Sequence, residues 1–235
     1  MAQPPRLEEK TPVYTLTWTA ADVPEDDVWM APAEVAVLAS LRFPKRRAEW
    51  RLGRYAAKQA VAAFLADERT LPSIAVRAAA DGAPEVFLEG GPAPLTLSIS
   101  HSGGQAFCAI APGDTALGCD LEKVEPRSAA FVADYFTPEE QALVEGATAA
   151  DRPWLANLIW SAKESALKAL REGLRLDTRS VAVRLSSPQK TTRWHPLAVF
   201  FTEQCQTFEG WYRVDGGFVR TVAASPAPGC PVVLR

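Results

Sequence analysis

Hydrophobic residues recur at helical spacing in two long stretches of the chain. Between residues 46 and 67, Trp50, Ala57, Val61 and Phe64 fall on one stripe of a helix. Between residues 153 and 170, Ala and Leu dominate, and neither Gly nor Pro interrupts residues 160–168. Shorter helices are expected over residues 33–41 and from Thr137, where a Thr cap, a first-position Pro and a Glu at the third position mark a helix start.

Alternating apolar and polar residues predict strands in most of the remaining chain. The alternation is clear over residues 115–124, where Leu117, Cys119 and Leu121 share one face. The other predicted strands cover residues 13–19, 74–78, 84–88, 95–99, 105–111, 180–185, 197–202, 210–214 and 218–223. Strands of this kind with two long helices predict an α+β protein, with antiparallel sheets and helices packed on one face.

Residues 111–114, Ala-Pro-Gly-Asp, are the best candidate for a boundary within the chain. Because they form a turn and not a long linker, we expect two closely packed halves, residues 1–112 and 113–235. No repeat between the halves is visible in the sequence.

Composition and charge narrow the function only slightly. The 235 residues are 48% hydrophobic and 23% charged, which is typical of a soluble globular protein that can bury a sizeable core. With a net charge of −3, the molecule as a whole is not expected to bind polyanions, so any basic patch would have to be local. Residues 1–12 lack an apolar signal core, and no segment has the length of a membrane span. We therefore expect a cytoplasmic protein with no membrane partner.

The cysteines argue against zinc. There are four, none in a C-x-x-C pair, and only His101 and His195 could join them as ligands. Cys108 and Cys119 lie in apolar runs, as buried free thiols often do. A reduced protein is the expectation.

Three carboxylates are the first candidate chemistry. Asp120 and Glu122 lie on the polar face of a predicted strand, where like charges repel. Glu164 lies in the second long helix, next to Lys163 and one turn before Lys168. A solvated strand face and an exposed Glu–Lys helix pair would account for these residues without a function. Alternatively, Mg²⁺ would relieve the repulsion, because it prefers carboxylates, waters and phosphate oxygens.

A row of cations lies beside the apolar stripe of the first long helix. It comprises Arg47, Arg51, Arg54 and Lys58, at spacings of four, three and four residues. No Asp or Glu of the helix is spaced to neutralise them all. The row is either a solvated helix face or a binding face for the phosphates of a nucleotide.

Three short blocks together resemble a known enzyme family. They are S-I-S-H-S at residues 98–102, G-C-D-L-E-K-V-E-P at 118–126, and W-S-A-K-E-S at 160–165 followed by Lys168. Their order and separation are similar to those of the 4′-phosphopantetheinyl transferases, of the larger, single-chain type that activates surfactin synthetase. The supporting pattern covers most of the chain, including the Arg-rich helix and the D-G-A-P turn at residues 81–84.

The resemblance implies an enzyme, a holo-[acyl-carrier-protein] synthase of the 4′-phosphopantetheinyl transferase class. Such an enzyme transfers the 4′-phosphopantetheine arm of coenzyme A to a serine of an apo acyl or peptidyl carrier protein and releases adenosine 3′,5′-bisphosphate. It uses Mg²⁺ and serves fatty-acid, polyketide or nonribosomal peptide biosynthesis. The sequence does not name the carrier, although residues 131–143 are a candidate contact surface.

The resemblance also implies roles for individual residues. The metal ligands would be Asp120, Glu122 and Glu164, and the catalytic residues Asp120, Glu164 and Lys168. The residues implied to bind coenzyme A are Arg47, Arg54, Lys58, Gly82, Pro84, Ser100, His101, Lys163 and Lys168, of which Arg47, Arg54 and Lys58 are assigned to its 3′-phosphate. Many relatives carry Lys where this chain has Ala83, so a cation there is absent or moved. Glu164 would accept the serine proton, directly or through a metal-bound water.

The implied fold is a pseudo-dimer of two similar α/β halves with the active site in the cleft between them, acting as a monomer. Three other interpretations remain open. A different Mg²⁺-dependent phosphotransfer or nucleotide-hydrolysing enzyme lacks support because no G-x-x-x-x-G-K-[ST] loop is present. A non-catalytic protein that binds coenzyme A or a carrier has no need of the repulsive carboxylates. A nucleic-acid-binding protein conflicts with the acidic net charge.

Overall fold

The computed structural model describes residues 10–66 and 70–234. The helices are α1 (Pro32–Ser40), α2 (Pro44–Leu65), α3 (Ala129–Tyr135), α4 (Pro138–Gly146) and α5 (Arg152–Ala169). The strands are β1 (Tyr14–Thr19), β2 (Ala75–Ala78), β3 (Pro84–Leu88), β4 (Gly91–Pro92), β5 (Leu95–Ser102), β6 (Gln105–Pro112), β7 (Ala116–Lys123), β8 (Val181–Arg184), β9 (His195–Phe201), β10 (Gln206–Asp215), β11 (Phe218–Ser225) and β12 (Val232–Val233).

In the second half of the chain, α5 packs across a five-stranded antiparallel sheet with the order β7-β11-β10-β9-β8. The apolar stripe of α5, which includes Leu158, Ile159 and Leu167, is buried in the same cluster as residues of this sheet. Gly118 of β7 allows an especially close approach, since a Cβ there would lie 1.8 Å from the backbone oxygen of Ser165. The helix therefore lies directly against the strand that carries the acidic residues.

In the first half, α2 packs in the same way on a four-stranded sheet with the order β12-β1-β6-β5. Strands β1, β6 and β5 are antiparallel, whereas β12, from the end of the chain, joins β1 in parallel. Leu52 and Val61 of α2 are buried together with Leu97 and Ile110 of this sheet. The small sheet β2-β3-β4 lies next to β5.

The two larger sheets meet where β5 runs beside β7. The Oγ atom of Ser98 accepts the backbone N–H of Cys119 at 2.9 Å, and that of Ser102 accepts the N–H of Lys123 at 3.3 Å. An apolar layer between the sheets contains residues of both halves, among them Phe107. Alternate serines of β5 thus join the two halves along one edge.

Each half contains a buried ion pair between its long helix and the short helix before it. In the first half, Glu34 of α1 accepts the backbone N–H of Ala31 at one oxygen and that of Val76 on β2 at the other, at 2.8 and 2.9 Å. The Nζ atom of Lys58 of α2 lies 2.5 Å from Glu34 and donates to two backbone oxygens at 3.0 Å. Every polar atom of this pair therefore has a partner.

The second half repeats this arrangement. Glu140 of α4 accepts the backbone N–H groups of Thr137 and of Val183 on β8 at 2.8 and 2.7 Å. The Nζ atom of Lys163 of α5 lies 2.8 Å from Glu140 and donates to two backbone oxygens at 2.9 and 2.6 Å. The order of strand, short helix, long helix and strands is also shared. The fold is therefore an α+β pseudo-dimer of two similar halves, although the sequence shows no visible repeat.

The predicted helices over residues 46–67 and 153–170 are confirmed as α2 and α5, although residue 67 lies outside the described residues, and the strand over residues 115–124 is confirmed as β7. The strand predicted over residues 95–99 is longer than expected, because β5 continues through Ser102 before Gly103 and Gly104 turn with positive φ. Cys108 and Cys119 are buried and free, as expected. No helix within residues 10–66 or 70–234 is long and apolar enough to cross a membrane.

Candidate active site

Asp120 of β7 lies at the centre of a polar cluster where the halves meet. Its side chain is buried, and Oδ1 accepts the hydroxyl of Ser100 on β5 and the ammonium of Lys168 on α5, both at 2.7 Å. Lys168 also donates to the backbone oxygen of Cys119 at 3.1 Å. A single carboxylate therefore contacts a strand of the first half and a helix of the second.

Glu164 and Glu122 extend the cluster. Glu164 lies one turn before Lys168 on α5, with its Oε2 atom 3.6 Å from Nζ of Lys168. Glu122 follows Asp120 on the same face of β7, and its Oε2 atom lies 3.0 Å from Nη2 of Arg127. Strand alternation and helical spacing thus bring together the three carboxylates that the sequence predicted as metal ligands.

The carboxylates and Lys168 shift one another's pKa values. Burial raises the pKa of Glu122 to about 7, with the charges of Asp120 and Glu164 acting in the same direction and Arg127 opposing them. Burial and the charge of Asp120 also raise the pKa of Glu164. Desolvation acts to lower the pKa of Lys168, but Asp120 and Glu164 outweigh it and raise that pKa above its usual value. The cluster therefore combines an ammonium whose charged form is favoured with two glutamates, Glu122 and Glu164, whose charged forms are disfavoured.

The donor atoms of the cluster suit a hard divalent cation by type. Oδ2 of Asp120 is buried and has no hydrogen-bond partner, a condition that is unfavourable unless a ligand completes it. Within residues 10–66 and 70–234, however, no three His, Cys, Asp or Glu side chains are grouped so that they could hold a metal ion. Glu122 and Glu164 are instead paired with Arg127 and Lys168. A cation would take the place of these partners.

A cleft of about 460 Å³ lies between the halves and is lined by Lys168. The first half contributes residues 81–84 and 96–99 to its walls, and the second half contributes residues 114–117 and the end of α5. Gly82, with φ of +91°, and Pro84 thus line the same cleft as Lys168. The predicted turn and the predicted catalytic lysine are brought together here.

His101 lies on the face of β5 opposite to the serines that join the halves. Its ring packs over α2, since a Cβ at Gly53 would lie 3.9 Å from Cδ2 of the imidazole. Desolvation lowers the pKa of His101, and the charge of Lys168 acts in the same direction. Lys45 and Arg46, which were not in the predicted cationic row, line a surface depression with His101. This depression therefore combines two cations and one acid, Glu49, from the first turns of α2 with His101.

The cationic row of α2 does not form a single phosphate-binding face. Lys58 is fully buried with Glu34 and has no donor left, so its prediction as a ligand of the 3′-phosphate is corrected to a structural role. Arg51 pairs with Asp27. Nη1 of Arg47 donates to two backbone oxygens at 2.6 and 3.3 Å. The acids that pair with Arg51 and Lys58, Asp27 and Glu34, come from elements packed against the helix.

Arg54 differs from the rest of the row. Its guanidinium lies over the ring of Trp50, with Cζ 5.0 Å from the ring centroid, and its Nε atom is buried without a hydrogen-bond partner. Desolvation lowers the pKa of Arg54, while the charge of Glu34 opposes this. Arg54 therefore keeps an unused donor, as a phosphate ligand would.

The prediction that Lys163 contacts phosphate is also corrected. Adjacent residues of a helix point about 100° apart. Consequently Lys163 points away from the side of Glu164 and into the core, where it is fully buried against Glu140. Reaching a phosphate would break that ion pair.

Sequence reasoning missed one member of the site, Arg127. Arg127 pairs with Glu122 and also donates from Nε to Oδ1 of Asn157 at 2.9 Å. Ser100 was predicted to bind coenzyme A, but its hydroxyl is given to Asp120. The position of Arg127 just after the acidic block was the available signal, but the path of the chain beyond β7 cannot be read from alternation.

Comparison with known proteins identifies two adjoining segments. Residues 116–222 match the sequence model of the 4′-phosphopantetheinyl transferase superfamily, and residues 34–111 match that of the 4′-phosphopantetheinyl transferase N-terminal domain. Together the matches cover more than three quarters of the chain.

Two individual proteins are similar over part of their length. A 4′-phosphopantetheinyl transferase of Bacillus subtilis is 32% identical over 91 residues, which are 39% of this chain and 40% of that protein. The match therefore spans well under half of the relative's length. The crystal structure of Thermotoga maritima holo-[acyl-carrier-protein] synthase aligns with a TM-score of 0.36 and 16% identity, covering 55% of this chain and 76% of that one.

Proposed function

The chain belongs to the 4′-phosphopantetheinyl transferase superfamily, and on this premise we propose that it transfers the 4′-phosphopantetheine arm of coenzyme A to a serine of an apo acyl or peptidyl carrier protein. Adenosine 3′,5′-bisphosphate is the second product. The reaction is that of a holo-[acyl-carrier-protein] synthase. Because the two matched segments lie in one chain, we assign it to the larger, single-chain type, with halves 1–112 and 113–235.

The cluster of Asp120, Glu122, Glu164 and Lys168 beside the inter-half cleft is the observation that carries this proposal. Transfer from a diphosphate moves negative charge onto the oxygens around the reacting phosphorus. The ammonium of Lys168 stabilises such charge, and so would a cation that takes the place of the present partners of Glu122 and Glu164. Of this cluster, Lys168 lines the cleft of about 460 Å³, which leaves room for a substrate next to it.

The reacting bonds assign roles to the catalytic residues. The serine oxygen forms a bond to the β-phosphorus of coenzyme A, and the bond from that phosphorus to the oxygen of the departing bisphosphate breaks. Glu164 accepts the serine proton, directly or through a water. Lys168 stays protonated because its pKa is raised, and it donates to a phosphate oxygen. Asp120 holds Lys168 in position.

Asp120, Glu122 and Glu164 are the residues that would hold Mg²⁺. When bound, the ion supplies Lewis-acid stabilisation of the diphosphate oxygens. The unpartnered Oδ2 of Asp120 and the raised pKa values of Glu122 and Glu164 support this assignment. A cation would give Oδ2 of Asp120 a partner, and it would favour the ionised forms of Glu122 and Glu164.

The coenzyme lies along the cleft, with Gly82 and Pro84 on one wall and Lys168 at the reacting end. Arg54, His101 and Arg47 remain the proposed contacts for the nucleotide phosphates. The unused Nε donor of Arg54 supports its assignment. In Arg47, both bonds to backbone oxygens come from the same atom, Nη1. Ser100 acts through Asp120.

We assign a monomeric, cytoplasmic enzyme whose partners are coenzyme A and a carrier protein, without nucleic acid or membrane. Both walls of the cleft come from one chain, so a second copy is not needed to complete it. Residues 131–143 stay the proposed carrier surface; Tyr135 and Leu143 in this segment are exposed apolar side chains.

The test is incubation of the protein with coenzyme A, Mg²⁺ and an apo carrier, followed by intact-protein mass spectrometry of the carrier. A gain of one phosphopantetheine is expected, and it should disappear without coenzyme A or after chelation of divalent cations. Restoring the reaction with Mg²⁺ or Mn²⁺ separately identifies the metal.

If acyl and peptidyl carriers that a known transferase can modify all stay apo, transfer is refuted. Calorimetric binding of coenzyme A without transfer would then support the alternative, a non-catalytic coenzyme A or carrier-binding protein.

A further inference from the structure

The helix that carries Glu164 and Lys168 ends in a conformation unusual for its sequence. Arg171 has φ of +59°, its N–H donates to the backbone oxygen of Lys168 at 2.9 Å, and the next N–H donates to that of Leu167 at 3.1 Å. This is the Schellman arrangement, whose left-handed position is usually occupied by glycine. An arginine there is strained, so the backbone alone gives no reason for this residue.

The side chain of Arg171 supplies the reason, because it crosses to the first half. Its Nε atom donates to Oδ2 of Asp81 at 2.6 Å, and Nη2 donates to Oδ1 of Asp81 at 3.2 Å and to Glu85 at 3.1 Å. This is the forked pairing in which arginine binds carboxylates with defined geometry. Arg175 reinforces it by donating to the backbone oxygens of Asp81 and Arg171 at 3.2 and 2.6 Å.

The turn held in this way forms a wall of the cleft. Oδ1 of Asp81 also accepts the backbone N–H of Ala83 at 3.0 Å, so the same carboxylate orders the turn from within. Asp81, Gly82 and Arg171 all line the cleft that Lys168 lines. Contact with Arg171 therefore links the position of the turn to the end of the catalytic helix.

Stability is a poor explanation for this contact. Arg171, Asp81 and Glu85 are all partly exposed, with side-chain exposures of 49%, 30% and 43%. Exposed ion pairs contribute little to the free energy of folding, and the strained backbone acts against it. What the contact does determine is where the turn lies relative to α5.

We propose that Arg171 is a positioning residue for coenzyme A, which fixes the turn of residues 81–84 at a set distance from the end of α5. A wall ordered in advance lowers the entropy loss when a ligand binds, without touching the reacting atoms. Loss of Arg171 therefore weakens coenzyme binding and leaves the chemical step nearly unchanged. The coenzyme part rests on the proposed function, whereas the ordering of the turn does not.

Arg171→Gly is the informative variant, because glycine accepts the left-handed conformation and removes only the side chain. Hydrogen–deuterium exchange should show faster exchange of the amides of residues 79–84 than in the wild type, with no ligand present. Calorimetry with coenzyme A and Mg²⁺ should show a Kd roughly tenfold higher, and KM should rise in parallel while kcat stays within about twofold.

Arg179→Ala is the matched control, since Arg179 forms an exposed pair with Asp177 within one half. It should leave exchange of residues 79–84, Kd and KM at wild-type values. Arg171→Lys keeps the charge but loses the fork and should fall between the two.

Wild-type exchange of residues 79–84 in Arg171→Gly would overturn the ordering of the turn. Faster exchange with unchanged Kd and KM would overturn the role in coenzyme binding. If the wild-type protein binds no coenzyme A, the proposed function fails and takes that role with it, while the exchange result still decides whether Arg171 orders the turn.

Discussion

The two halves use the same construction around their long helices, but only the second carries the polar cluster. In the first half, the rings of Trp18 and Tyr55 are in contact, with their centroids 5.5 Å apart. In the second half, Glu122 interacts with Trp160 instead. Counting from the two buried lysines, the first-half counterpart of Glu164 is Gln59, and the side chains of β1 that face α2, where β7 presents Asp120 and Glu122 to α5, include Leu16 and Trp18. The place of the acidic site is therefore apolar or neutral in the first half.

This difference separates two neighbouring residues of one motif. Lys163 has a counterpart, Lys58, in the same kind of buried ion pair, whereas Glu164 corresponds to Gln59. A feature present in both halves serves what both halves share, which is the packing of a long helix against a short helix and a strand. A feature present in one half only serves the site. Lys163 belongs to the scaffold and Glu164 to the proposed chemistry.

The largest expected effect is on the residues found in one half only. Glu164→Gln and Asp120→Asn should each lower the rate of phosphopantetheine transfer by about 10²- to 10⁴-fold, because they remove the proposed base and the residue that holds Lys168. Single-turnover transfer to an apo carrier, followed by mass spectrometry, measures this. Gln59→Ala, at the counterpart position, is the control and should keep the wild-type rate.

Thermal unfolding of Glu164→Gln provides a second check on that assignment. The folded state raises the pKa of Glu164, so the charged side chain is disfavoured there. The variant should be at least as stable as the wild type without divalent cations. A large loss of stability would mean that Glu164, like Lys163, is structural.

The next effect concerns the residues found in both halves. Lys163→Met and Lys58→Met should each lower the free energy of unfolding by about 3–5 kcal/mol, because Glu140 or Glu34 is left as an unpaired buried charge. Urea unfolding measures the loss. At temperatures where the variants are folded, binding of coenzyme A should be unchanged. A stable Lys163→Met with weakened binding would restore Lys163 as a phosphate ligand.

A pH effect should follow from Glu122, since the face of β1 that packs on α2 carries apolar side chains such as Leu16 and Trp18. Because folding raises the pKa of Glu122 from 4.5 to about 7, the folded state holds this proton more tightly than the unfolded state. Without divalent cations, the free energy of unfolding should fall as pH rises through that window, by at most about 3 kcal/mol. Urea unfolding in chelator at several pH values tests this. Glu122→Gln should flatten the curve, and an unchanged slope would contradict the assignment.

The smallest effects are expected at the seam between the halves. Ser98→Ala should lower the free energy of unfolding by about 1–3 kcal/mol, because the buried N–H of Cys119 loses its acceptor. Ser102→Ala should lower the free energy of unfolding by less than about 1 kcal/mol, because the exposed N–H of Lys123 can donate to water instead. If urea unfolding shows equal losses for the two variants, the contribution of these serines to stability does not depend on burial.

Local patterns were enough to predict the elements that position the site. The apolar stripes of α2 and α5 and the alternation of β7 lie in contiguous sequence, and each predicted range agrees with the observed one to within about two residues. The same local spacing placed Asp120 and Glu122 on one strand face, whereas the resemblance of the three blocks joined Glu164 to them. The small helix α3 and the short strand β12 were not predicted, because neither is long enough to show a period.

The role of the lysines could not be predicted in this way. Lys58 and Lys163 are paired with Glu34 and Glu140, which lie more than twenty residues away in the chain. Spacing on one helix shows which side chains share a face, but the partner that decides whether a cation is buried comes from another element. The ion pair between Arg171 and Asp81 could not be predicted for the same reason, because its two residues lie in different halves.

Single-turnover transfer measured side by side for Lys163→Met and Glu164→Gln, at a temperature where circular dichroism shows both folded, tests the separation of scaffold from chemistry most directly. We predict that Lys163→Met transfers phosphopantetheine within about threefold of the wild-type rate and that Glu164→Gln loses at least about 100-fold. Loss of transfer in folded Lys163→Met, with near-normal transfer in Glu164→Gln, would contradict it.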